Sequence, residues 1–418
     1  MTQSILNKIN ELFHSTPKNI GVGYGYKIVN GEYTNEKGII FHVEKKLPLS
    51  ELSNEEILPS TVEIDNVVYK TDVFETGKIE YLVCNNSSSN PCFPTGYPPP
   101  DYATPNASLQ RPFLGGSGCE TPAGGGTVGF VAKHTATQKI VGVTNAHVMF
   151  VDTYNSISKQ SLPVAWMYDS FLYGNGISQG TYDPNTSIVG KTLYAKSKKR
   201  DPFGNFVDAA LISLFQTDSF GAPVITSESW KQVGINIGTT PPPFATTAEL
   251  DNLLADPNME VASTGLRTGA KQGTCGLRIS AIGVNTYVSG DYYFYQNQIT
   301  FTRIDPTCRW PCGGGDSGSA VFGKIGGVWK IIGLLWGGGG ESNTGFMSRI
   351  DYVASELGIE AWDGVVTAQS FIDSNTIQGI ITTGVSAEDS IIVNGKVYKQ
   401  SSATFNSPIT TTTTTTII

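Results

Sequence analysis

A serine hydroxyl becomes a useful nucleophile only when a base takes its proton and backbone N–H groups receive the oxyanion that forms. The string Gly315-Asp316-Ser317-Gly318 supplies a serine between glycines. Such a turn can fold with the N–H groups of Gly315 and Ser317 aimed at one point, a conformation that bulky residues resist. On its own the string is short, and a serine in a hairpin turn would satisfy it equally well. The base has to come from His14, His42, His134 or His147. His14 ends an N-terminal amphipathic stretch, His42 lies in an apolar strand, and His134 precedes the turn-like Thr135-Ala136-Thr137-Gln138, all ordinary structural positions. His147 differs: in Thr144-Asn145-Ala146-His147-Val148 a predicted strand over 139–143 runs into a short helical turn. The third group, a carboxylate that holds the imidazole in one tautomer, should be buried. Asp208, in Val207-Asp208-Ala209-Ala210-Leu211-Ile212, fits, because a carboxylate set into an apolar strand is costly unless a partner awaits it. Asp201 and Asp218 lie in polar, turn-like surroundings and read as surface charges.

The elements that must position these groups follow from composition. A chain of 418 residues suggests two or three folded units. With 39% hydrophobic and 15% charged residues, 47 Gly and 22 Pro, it should be built from many turns and short strands, hence mainly β. A net charge of −8 disfavours nucleic acid and anionic membranes as partners. No stretch of about twenty apolar residues suggests a membrane span. Residues 1–16 read as an amphipathic helix, with Ile5, Ile9, Leu12 and Phe13 on one face. They lack the apolar core of a secretory signal peptide, so a cytoplasmic or particle-associated protein is expected. Six cysteines are too sparse for a disulfide scaffold, and reduced thiols are the default. Cys308 with Cys312, and Cys84 with Cys92, are close enough in sequence to be considered as pairs. Without a compact Cys-x-x-Cys spacing a zinc site is disfavoured, and neither metal nor cofactor is expected. The run Lys196, Lys198, Lys199 and Arg200 reads as a solvated loop.

Residues 1–83 form a small α/β domain, with strands expected over 21–28, 38–43 and 61–69 and a helix over 49–57. Residues 84–114 shift to Asn, Ser and Pro and read as a linker. Over 115–363, short β-branched runs broken by Gly and Pro suit a pair of antiparallel barrels. Residues 364–418 form a β-rich extension ending in a threonine run over 410–416, into which no fold is read.

Several motifs together carry a resemblance. Thr144 to Val148 resembles T-A-A-H, Val207 to Leu214 resembles the D-I-A-L-L type of strand, and Gly315 to Ser319 resembles G-D-S-G-G. Leu334-Leu335-Trp336-Gly337 resembles V-S-W-G, and Thr344 to Ile350 resembles P-G-V-Y-T-R-V. Their joint occurrence in the order His, Asp, Ser resembles the trypsin/chymotrypsin superfamily of serine peptidases. In the N-terminal block, Gly21 to Lys27, Phe41 to Pro48, Ile64-Asp65 and Thr71 to Val73 resemble the leader domain of bacterial trypsin-like peptidases related to plant narrow-leaf proteins. Thr264 to Gly269 resembles that group's S-G-R-T-T-G, followed by a strand over 279–287.

The resemblance implies a chymotrypsin-like double antiparallel β-barrel preceded by a small α/β domain. It further implies a serine endopeptidase acting on protein or peptide substrates through His147, Asp208 and Ser317, with an oxyanion hole from Gly315 and Ser317. The substrate pocket would be lined by Pro311, Leu335, Trp336, Gly337 and Gly345. With no carboxylate near Pro311 it should take an uncharged side chain, unless Asp305 reaches it. Activation through a newly cut N-terminus pairing with Asp316 is not supported by any activation string, and an internal partner is the alternative. The competing reading is a structural or interaction protein, for example a particle component, that keeps the fold without using it. Nothing in the sequence opposes a homo-oligomer.

Overall fold

Short β-branched runs punctuated by glycine close into two antiparallel barrels in the computed structural model. It describes residues 1–17, 21–29, 32–82, 111–121, 124–149, 164–167, 176–179, 188–199, 207–218, 221–288, 294–308, 310–339, 343–371, 390–393 and 396–399. In the first barrel Ser117–Thr121 pairs with Gly124–Val128, and the chain bends at Gly129 into Phe130–His134. That strand pairs with Ile140–Thr144, then Ala209–Leu214, Ile188–Lys199 and Gly176–Gln179, which returns to Ser117–Thr121. The second barrel runs from Val261–Gly265 through Ala320–Ile325, Val328–Gly339, Gly345–Arg349, Phe294–Arg303 and Leu277–Tyr287. It closes where Val261 pairs with Leu277. The expected mainly β, double-barrel architecture is what the chain adopts.

One apolar cluster runs through both barrels, including Val128, Val143 and Ile212 of the first and Val261, Phe322 and Leu334 of the second. A Cβ at Gly129 would lie 2.3 Å from the Gly318 carbonyl oxygen, so the bend brings the first barrel's backbone directly against the Ser317 loop. After Gly345–Arg349 the helix Ile350–Leu357 packs on the barrels and ends at Gly358, whose φ of 62° suits glycine. Arg349, buried, binds Asp251 at 2.6 Å and Asp351 at 2.8 Å and so fixes the helix start.

The N-terminal block extends the second barrel's sheet. Gly21–Val29 pairs antiparallel with Leu277–Tyr287 and with Glu32–Val43, which lies parallel to Val67–Glu75, itself paired with Thr61–Ile64. Asp65 and Asn66, both with positive φ, form the hairpin turn between the last two. Helix Gln3–Ser15 buries Ile5, Ile9 and Phe13; the Phe13 ring stacks on Tyr287 at 4.9 Å and tilts against Phe294 at 5.0 Å. These residues join Trp336 and Phe346 in a second apolar cluster.

Several expectations are corrected. The helix over 49–57 is reduced to one turn, Leu49–Glu51, because Leu49 and Ile57 are exposed and no apolar face is buried to hold it. Lys196, Lys198 and Lys199 fall in the strand Ile188–Lys199 rather than in a loop; Arg200 lies outside the described residues. Cys308 is bonded to Cys275, not to Cys312: pairing of Leu277 with Arg303 brings the two ends of that hairpin together, with a Cα separation of 5.5 Å. Cys312 is buried elsewhere, and Cys84 and Cys92 lie outside the described residues, as does most of the expected linker. In the C-terminal extension Ser390–Val393 runs parallel to Val164–Met167 and pairs with Lys396–Lys399; the threonine run lies outside the described residues.

His42 is structural and titrates against the fold. It is buried opposite Gly21, its ring edge-on to Phe74 and Phe346, and both ring nitrogens lack a partner among the described residues. Burial pushes its pKa down to about 4. Between pH 4 and its unfolded value near 6.5 the unfolded chain binds the extra proton, so stability is full above pH 6.5 and falls as pH drops through this window. The slope is at most about 1.4 kcal/mol per pH unit. Unfolding free energies from urea titrations at pH 7 and pH 5 should differ by about 2 kcal/mol more in the wild type than in His42→Phe; equal differences would refute the assignment.

Candidate active site

Two neighbouring strands of the first barrel place His147 beside Asp208. Ile140–Thr144 leads through Asn145 into the short helix Ala146–Met149, which carries His147, and Asp208 immediately precedes Ala209–Leu214. Because Ala210 pairs with Thr144, the residues just beyond that rung fall side by side. The Asp208 carboxylate accepts the His147 backbone N–H at 3.1 Å through Oδ1 and meets His147 Nδ1 through Oδ2. Asn145 Nδ2 donates to the Asp208 carbonyl, fixing the segment from its other side. Both side chains are buried, at 1% and 0% exposure, so the ring is gripped in one orientation away from bulk water.

Ser317 comes from the second barrel, in the turn before Ala320–Ile325. Gly315 and Gly318 take φ of 103° and 91°, open to glycine and strained for other residues. The turn is held by Asp316, fully buried. Its Oδ1 accepts the N–H groups of Arg267 and Thr268 at 2.8 and 3.0 Å, and its Oδ2 accepts Gly313 N–H at 2.9 Å and the Thr268 hydroxyl at 2.6 Å. Asp316 therefore has an internal partner, the loop Leu266–Thr268. Ser317 Oγ donates to the Trp336 carbonyl at 3.2 Å.

Thr127 straps the two halves together. Its N–H donates to the Ser317 carbonyl at 2.8 Å, its hydroxyl to the Gly315 carbonyl at 2.9 Å, and its own carbonyl accepts Thr144 Oγ1 at 2.6 Å. One residue thus connects the Ser317 turn to the strand that leads to His147. Sequence reasoning missed it, as it missed Thr268, because a threonine among glycines carries no chemical signal of its own.

A further segment lies against these groups. Ile79–Tyr81 pairs antiparallel with the end of Val328–Gly339, Tyr81 opposite Gly337 and Glu80 opposite Gly338. The Tyr81 ring lies 4.9 Å from the His147 ring and 6.0 Å from that of Trp336. Leu82 donates its N–H to the Trp336 carbonyl at 3.4 Å, and its carbonyl accepts Gly315 N–H at 2.7 Å. A Cβ at Gly338 would lie 2.7 Å from Cys312 Sγ, 3.0 Å from the Thr344 carbonyl and 3.6 Å from Leu82 Cδ2. Gly338 therefore lies against Cys312, Thr344 and the Leu82 side chain alike. Burial pushes the Cys312 thiol up to about 12, so it stays neutral there.

Of the residues expected around a pocket, Pro311 is buried next to Cys312. Leu335 belongs to the core, and the Trp336 ring stacks on Tyr295 at 4.2 Å while its Nε1 donates to Gln298. Gly337 faces the Glu80 carbonyl, and Gly345 is pressed on the Phe301 ring. Val328–Gly339 bulges between Leu335 and Gly337, and it is Gly338 that lies against Cys312 and Leu82. Asp305 does not reach it; its carboxylate closes a turn on Thr307. His134 is buried with Nδ1 at 2.9 Å from Thr137 Oγ1. Asp218, expected at the surface, is buried and paired with Arg111 at 2.8 Å, since the turn at Gly221 folds back over it.

No family model and no curated protein matches the chain. Among solved structures it is similar to protease A of Thermobifida fusca, at 14% identity and a TM-score of 0.36, covering 60% of this chain and 98% of that one. It is similar to a glutamic acid-specific serine protease described as using a histidine triad in substrate binding, at 17% identity and 0.35, covering 60% and 100%. It is also similar to an α-lytic protease homologue, N4, at 15% identity and 0.34, covering 59% and 98%.

Proposed function

We propose that this chain is a serine endopeptidase that hydrolyses peptide bonds through an acyl-enzyme. The observation that carries this reading is the meeting of a buried His147–Asp208 pair from one barrel with the Ser317 turn from the other, joined through Thr127. Ser317 Oγ, swung from the Trp336 carbonyl towards His147, attacks the substrate carbonyl as His147 takes its proton. Asp208 steadies the imidazolium, and the N–H groups of Gly315 and Ser317 stabilise the oxyanion. His147 then protonates the leaving amine, and water repeats the sequence to release the acid. The substrates are proteins or peptides, and no step needs a cofactor. Cys312, Gly338 and Thr344 favour an uncharged side chain on the acyl side, since a buried cation without a counter-charge is costly. The N-terminal strings support the finer resemblance to bacterial trypsin-like peptidases with a leader block.

A fluorophosphonate probe tests the reading. Ser317 should carry the added phosphonyl mass in the wild type or in Leu82→Asp, whose charged side chain is unsuited to the apolar pocket. A folded protein modified at Ser317 in neither form would overturn it and favour a non-catalytic use of the fold.

A further inference from the structure

We propose that the chain is its own substrate: the peptide bond on the carboxyl side of Leu82 is cleaved by the Ser317 site of the same molecule, and residues 79–82 then remain in the cleft as a bound product. This rests on the peptidase reading above.

Four independent contacts hold Leu82 as a substrate must be held. Its carbonyl oxygen accepts the Gly315 N–H at 2.7 Å, the donor that an oxyanion on that same carbon would use. Its N–H and the Ser317 hydroxyl share one acceptor, the Trp336 carbonyl, at 3.4 and 3.2 Å, which brings the nucleophile next to the Leu82 backbone. The residue is 6% exposed, with its side chain against Gly338. The preceding residues add a strand, Ile79–Tyr81, to Gly337–Gly339, and the Tyr81 ring covers His147. An ordinary surface connection needs none of these, and a carbonyl hydrogen-bonded only to satisfy itself has no reason to choose the N–H beside a buried nucleophile.

The step balances without a co-reactant other than water. Ser317 Oγ bonds to the Leu82 carbonyl carbon as its proton passes to His147. The bond to the next nitrogen breaks as His147 returns that proton, which frees the amine of residue 83. Water, deprotonated by His147, adds to the Leu82 ester; the Oγ–carbon bond breaks, Ser317 recovers a proton, and Leu82 is left as a carboxylate. The N-terminal piece does not fall away, because Gly21–Val29 stays laddered to Leu277–Tyr287 and the helix Gln3–Ser15 stays in the shared cluster. The product therefore keeps the cleft closed to other substrates.

The test uses the full chain. Mass spectrometry of denatured wild-type protein should find a new N-terminus at residue 83 and a new C-terminus at Leu82, appearing with a first-order rate that does not change on tenfold dilution. Both pieces should co-elute under native conditions. Ser317→Ala should stay whole. Leu82→Met should still cut, whereas Leu82→Asp, checked for folding by circular dichroism, should stay whole yet take up a fluorophosphonate at Ser317 at least tenfold faster than wild type. If wild type remains one chain although Ser317 is labelled, or if Leu82→Asp is cut as fast as wild type, self-cleavage at this bond is wrong and the peptidase reading stands. If Ser317 is labelled in neither protein, the peptidase reading falls and this proposal with it.

Discussion

Ser317→Ala should lower peptide hydrolysis by about 10⁶-fold and abolish fluorophosphonate labelling while leaving the fold intact. The loss is large because in the proposed mechanism the hydroxyl is the group that bonds to the substrate, and nothing else in the turn can replace it: Asp316 is already saturated by four hydrogen bonds and faces the Leu266–Thr268 loop. Stability should change by no more than about 1 kcal/mol, since one buried hydrogen bond, to the Trp336 carbonyl, is lost without creating a large cavity. The comparison is best made in the Leu82→Asp background, where the proposed occupant of the cleft is disfavoured, by following peptide turnover and intact mass together. Undiminished labelling of the alanine variant would assign the nucleophile elsewhere.

Asp208→Asn should lower turnover by about 10⁴-fold with an almost unchanged melting temperature. The carboxylate meets His147 at both its backbone N–H and Nδ1, so it requires the proton on Nδ1 and leaves Nε2 to accept. An amide in the same place can turn its NH₂ towards Nδ1. The ring then holds its proton on Nε2, where it cannot receive the one from Ser317. The contact of Asn145 with the Asp208 carbonyl is untouched, so the backbone should keep its course. His134→Ala provides the control: His134 is occupied by Thr137 and should leave turnover unchanged. A His134 variant as inactive as His147→Ala, at equal stability, would move the base to the other histidine.

The parts of this site legible in the sequence were those whose residue types are costly without a purpose. Asp208 in an apolar strand and Ser317 between glycines stand out because burying a charge, or bending a backbone to positive φ, needs a reason. His147 stood out only by eliminating three others. What was not legible depends on contacts between distant segments. Thr127 and Thr268 are ordinary residues whose roles exist only once the two barrels meet. Gly338 meets Cys312 and Leu82 beyond a bulge that spacing alone does not disclose. Leu82 is one leucine among many until Ile79–Tyr81 is seen to lie along Gly337–Gly339. The short-range reading also erred where tertiary contacts override local pattern: at 49–57, where no partner buries the apolar residues, and at Asp218, which Arg111 draws inward.

The apolar cluster that passes from Val128 and Ile212 to Phe322 and Leu334 without a break has a thermodynamic meaning. Units that share side-chain packing cannot lose it separately, because opening one exposes the other's interior. The two barrels, though closed as sheets, should therefore melt as a single cooperative unit, giving one calorimetric transition whose van't Hoff and calorimetric enthalpies agree. Heat should then destroy the alignment of Ser317 with His147 and the barrels that carry them in the same event.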